Sequence, residues 1–154
     1  MNELTRRRLT QMTIAIVFCG AGAQVSGATE DGQQTPRVAL KGYDPVAYFV
    51  DGHPVKGVPA FSFTFDDAKY HFASAEHQKM FAADPDRYAP RYSGYCAVAL
   101  SRGMKLEVDP HSWAISNDRL YVFAGKTGSS IFAEDTTGVI AKADANWAAL
   151  KAQH

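Results

Sequence analysis

Two residues carry side chains suited to soft-metal or nucleophilic chemistry: His77, three residues after Ser74, and Cys96, directly after Gly94-Tyr95. His71 and His111 are weaker candidates of the same kind, and Met104 is a further soft donor. An imidazole and a thiolate together suit copper, or an iron cofactor such as haem. The same pair could do nucleophilic chemistry, with Cys96 attacking and His77, or His111 beside Asp109, acting as base. No strained elbow and no cysteine-hydrolase signature surrounds Cys96, so the reading leans towards a binding module and away from an enzyme. Against all of these stands a plainer one. A satisfied interior histidine and a small buried thiol would account for both residues without any ligand.

The elements around them set what these residues can reach. Ser74 caps a helix expected to run to Ala83, and His77, Met80 and Phe81 fall on its core-facing stripe. Before it, residues 61–65 alternate aromatic and polar residues, as a half-buried strand does, and residues 70–72 return as its partner. Asp84-Pro85 opens a short second helix through Tyr88. Upstream, Asp44 caps a short helix with Pro45 at its first position, and Val46, Phe49 and Val50 are expected to face the core. Asp44-Pro45 and Asp109-Pro110 read as cap geometry rather than acid–base pairs. Residues 91–100 fit strand or helix equally.

The alternation of Met104, Leu106 and Val108 predicts a strand, and Asp109-Pro110 predicts a single turn holding His111 and Trp113. Residues 114–123 predict a hairpin through Asn117-Asp118. Residues 125–130 read as a loop. A last helix starts at Glu134 or Asp135, with Ile140, Ala143, Trp147 and Leu150 as its apolar stripe. The expected fold is α+β: one domain over residues 38–152, with a small antiparallel sheet of hairpins and helices packed on it. No repeat at solenoid or propeller spacing is evident.

The chain has 154 residues and a formal net charge of zero, which gives no basic excess for nucleic acid. No apolar run is long enough for a membrane-spanning helix. The first 23 residues are laid out as a signal peptide: three arginines, an apolar stretch from Met12 to Phe18, then small residues with Ala21-Gly22-Ala23 as the processing site. A second candidate site follows Ala28. Thr5-Arg6-Arg7-Arg8-Leu9 resembles a twin-arginine export signal, with the ordinary Sec route as the alternative, and either implies a periplasmic protein that meets the export machinery. Processing would remove Cys19 and leave Cys96 unpaired. Residues 24–37 are polar and expected to be disordered before the domain begins.

Several motifs together resemble the YHS domain family, in its exported single-domain branch. They are Tyr70-His71-Phe72 with Ser74, Phe81, Pro85 and Tyr88, then Leu40 to Phe49, Pro90 to Ala99, Asp109 to Trp113, Leu120 to Val122 and Ala143 to Trp147. The resemblance covers nearly all of residues 38–150. It implies the fold and a suspected metal-binding role through cysteines, but no particular activity. Where the metal-type relatives carry their cysteines, this chain has Ala47, Ala73 and His77. The resemblance thus leaves His77 as the one surviving donor of that inherited site.

Overall fold

The computed structural model describes residues 35–153. The signal layout, both processing sites, Cys19 and most of the 24–37 stretch lie outside the described residues. Among the described residues no helix is long and apolar enough to cross a membrane.

The fold is α+β. Strand β1 (Arg37–Val38) leads into a 3-10 turn (Ala39–Gly42) and helix α1 (Ala47–Val50). The hairpin β2 (Val58–Phe65) and β3 (Ala68–Phe72) follows, then α2 (Ala75–Ala83) and α3 (Pro85–Tyr88). A second 3-10 turn (Arg91–Gly94) leads to α4 (Ala97–Ser101), the hairpin β4 (Asp109–Ser116) and β5 (Arg119–Phe123), then α5 (Lys126–Glu134) and α6 (Thr136–Lys151). The sheets are small: β1-β3-β2, with β1 parallel to β3, and β4-β5.

The two halves repeat one another. Both hairpins turn on two residues of positive φ, Asp66-Asp67 and Asn117-Asp118, as a type I′ turn requires and as Asp and Asn tolerate. Pairings of the first hairpin recur in the second at a constant shift of 51 residues, from Val58↔Phe72 to Asp109↔Phe123 and from Ser62↔His71 to Trp113↔Val122. The bulge between those two pairs recurs with them. Asp84 caps α3 by accepting from the Arg87 amide (3.2 Å), and Asp135 caps α6 by accepting from the Gly138 amide (2.9 Å). Both 3-10 turns put two non-glycine residues in the left-handed region, Leu40-Lys41 and Tyr92-Ser93, before a glycine at φ 79°. Each such residue costs on the order of 1 kcal/mol or more, so packing must hold it there; Leu40 and Tyr92 are both buried.

Each half packs on one phenylalanine of the helix that follows its hairpin. Phe81 meets Tyr70 (5.0 Å between ring centroids), Phe72 (5.1 Å) and Phe63 (5.8 Å). Phe132 meets Tyr121 and Phe123, both at 5.0 Å. Large aromatics of this kind supply most of the apolar area a core of this size can bury.

Several local expectations give way. Val50 is exposed while Tyr48 is buried, because the Tyr48 hydroxyl donates to the Pro110 carbonyl (2.9 Å). Residues 104–108 are not a strand. They bond back onto α4, with the Met104 amide on the Ala99 carbonyl and the Leu106 carbonyl on the Cys96 amide, so no ladder partner is left for them. His111 and Trp113 stand in β4, not in a helical turn. Residues 126–130 belong to α5 despite Gly128 and two serines, since Phe132 anchors that helix on β5.

Candidate functional site

The inner end of α1 and the first turn of α2 come together around Asp44. Its carboxylate is fully buried. Oδ1 accepts from the Val46 amide (2.8 Å), which makes a tight Asx turn through Pro45. Oδ2 accepts from the Ala73 amide (2.8 Å) and from His77 Nδ1–H (2.7 Å). The Ser74 cap that opens α2 accepts from the His77 amide (3.1 Å), which fixes the backbone beneath the imidazole. Three donors thus meet one carboxylate, and a buried carboxylate needs that many.

A carboxylate can only accept, so the neutral imidazole carries its proton on Nδ1 and its lone pair on Nε2. The His77 side chain is 14 % exposed, and Nε2 has no hydrogen-bond partner among the described residues and is not buried. A carboxylate behind a histidine, with the far nitrogen open, is the arrangement used to orient both metal ligands and general bases.

Cys96 stands at the start of α4. It is 3 % exposed, and its Sγ accepts from the Ala99 amide (3.5 Å) as the cap of α4. It holds in the second half the place Asp44 holds in the first. Each follows a Gly-Tyr, each precedes Val-Ala by one residue, and each amide donates to a carbonyl of the returning chain, Val55 for Asp44 (2.9 Å) and Leu106 for Cys96 (3.0 Å). The shift that relates the hairpins places Gly128 where the first half has His77.

His71 lies on the face of β3 opposite Tyr70 and Phe72. Burial, with Lys69 and Lys56 nearby, holds its pKa below the usual 6.5. His111 is exposed, with Nε2 3.4 Å from the Tyr43 hydroxyl and its ring edge-on to Tyr43. Met104 is exposed. Among the described residues no group of three or more His, Cys, Asp and Glu side chains is placed to hold a metal ion.

Asp44 is the residue that sequence reasoning assigns too small a part. The turn to Val46 is visible in Asp44-Pro45, but the helix begins only at Ala47, with Val46 rather than Asp44 at the cap position. The bonds of Asp44 to Ala73 and His77 span 29 and 33 positions, and nothing local encodes them. No family model, curated protein or solved structure matches this chain.

Proposed function

We propose that this chain is an exported, periplasmic binding module of the YHS type rather than an enzyme, and that its ligand meets Nε2 of His77. The observation behind this reading is the fully buried Asp44 carboxylate holding His77 Nδ1–H at 2.7 Å, which leaves one oriented lone pair facing outward. One imidazole is too few donors to close a shell round a bare copper or zinc ion. It does fit a metal that arrives with other ligands, such as haem iron in its porphyrin or copper held by a partner. Such a group would supply the redox or transfer chemistry; this chain would orient one nitrogen towards it.

The test is to purify the protein from the periplasm without a metal-affinity tag, offer copper and haem, and record metal content and the visible spectrum. The expected result is uptake with a band that disappears in His77→Ala and persists in Cys96→Ser. No uptake and no band for either would overturn the proposal. That outcome would favour a cofactor-free interaction protein, the reading that the burial of Cys96 also supports.

A further inference from the structure

A recess of about 180 Å³ lies where the two halves of the chain meet. Tyr70 of β3, Arg91 and Tyr92 of the second 3-10 turn, Arg119 of β5 and Trp147 of α6 form much of its wall. Two of these lining residues carry unmet polar atoms. The Tyr70 hydroxyl and Arg91 Nε are buried and have no hydrogen-bond partner among the described residues. Tyr70 is wholly buried, and burial raises its pKa, with Arg37 lowering it and Asp66 raising it further. Its hydroxyl therefore keeps its proton and can donate.

Arg91 is half committed. One terminal nitrogen donates to Asp144 (2.8 Å), whose carboxylate also accepts from the Tyr92 hydroxyl (2.9 Å), and Nε–H is left over. Arg119 donates to the Asp86 carbonyl and has no carboxylate within ion-pair distance among the described residues. Two carboxylates share the wall. Asp66 is taken by Lys151 and Ser93, and Asp86 is exposed. A buried donor without an acceptor is unfavourable, because its desolvation is left uncompensated. Two such donors in one recess, beside an arginine without a counter-charge, call for an acceptor that is itself negative.

We propose that this recess binds a small oxyanion, a carboxylate or phosphate group, through the Tyr70 hydroxyl, Arg91 Nε–H and the Arg119 guanidinium. Water takes about 30 Å³ per molecule, so the recess has room for a group the size of acetate or inorganic phosphate. The site shares no residue with Asp44 and His77, so it stands or falls separately from the proposal above.

The probes are acetate and inorganic phosphate, titrated into the full mature chain by calorimetry with chloride holding the ionic strength constant. The Arg91 Nε–Hε signal is followed by NMR. The expected result is saturable one-to-one binding of at least one anion with a shift of that signal. Affinity should fall about tenfold in Tyr70→Phe and in Arg119→Gln, as loss of a hydrogen bond to a charged group predicts. His77→Ala should bind as the wild type does. Which anion binds separates a carboxylate site from a phosphate site. Saturable binding of neither, or unchanged affinity in Arg119→Gln, would overturn the proposal. Arg119 is only partly buried, so its variant is expected to fold and keeps the test decisive if Tyr70→Phe does not.

Discussion

Asp44 and Cys96 occupy one structural position in two copies: after a Gly-Tyr, before a short helix, with the amide tied to the returning chain. Asp44 reaches across to the next helix and orients His77 (2.7 Å), whereas Cys96 reaches only the Ala99 amide (3.5 Å). The difference is one of reach and of partner. A carboxylate has two oxygens to share, and the second copy carries Gly128 where an imidazole would stand. A β-carbon on Gly128 would come within 2.9 Å of Phe123 Cβ, so that copy has no room for a histidine as it is packed.

Asp44→Ala is expected to cost about 3 kcal/mol or more, because three donors lose their acceptor and each stranded donor costs about 1–3 kcal/mol. His77→Ala removes only one of the three bonds and should cost less, about 1–2 kcal/mol, since the carboxylate keeps both amides. Urea midpoints of the two variants at neutral pH measure this. An equal or larger loss in His77→Ala would show that the imidazole is held mainly by packing and that Asp44 is not its anchor.

Cys96 should be unreactive to thiol reagents in the native protein and label only on unfolding, because it is buried and its Sγ accepts from a backbone amide. Cys96→Ser keeps a capping oxygen and is expected to shift stability by less than about 1 kcal/mol, while Cys96→Ala loses the cap and should cost about 0.5–1 kcal/mol. Rapid labelling of the folded protein would contradict this assignment and return the thiol to consideration as a nucleophile.

His71 should make the protein less stable in mild acid. Its folded pKa lies below its unfolded value of 6.5, from burial first and then from Lys69 and Lys56. Between the two values the unfolded chain binds more protons, so stability rises with pH through that window. The penalty is absent well above 6.5 and complete once pH is below the folded value. Thermal unfolding from pH 7.5 to 5 in wild type and His71→Gln tests it. The variant should show a shallower loss on acidification, and parallel profiles would exclude His71 as the cause.

Much of this fold is legible locally. Ser74, Asp84 and Asp135 are caps that can be recognised from residue type and the helical pattern after them. Asp66-Asp67 and Asn117-Asp118 tolerate positive φ and so mark their hairpins. What fails has a physical reason each time. Met104, Leu106 and Val108 alternate as a strand does, yet their backbone is committed to α4. Helix α5 contains poor helix formers and exists through the packing of Phe132. The internal duplication is hidden because backbone conformation and pairing register are kept while most side chains differ. Leu40 with Lys41 and Tyr92 with Ser93 show how far: different residues hold the same left-handed turn. The candidate site is half legible, since His77 is marked by type and position while its partner Asp44 is brought to it only by folding.

The two-residue strand β1 lies along the outer edge of β3, pairing Arg37 with Ala68 and Val38 with Lys69. Arg37 is pinned there by Glu107 and by the Ser93 carbonyl, and its guanidinium stacks on Tyr95 at 4.0 Å. That edge would otherwise offer unpaired amides and carbonyls to any passing strand. The short segment therefore acts as a guard against edge-to-edge aggregation. Proteolytic trimming past Val38 would bare the outer edge of β3 as a further template for strand pairing, whatever happened at the ligand site.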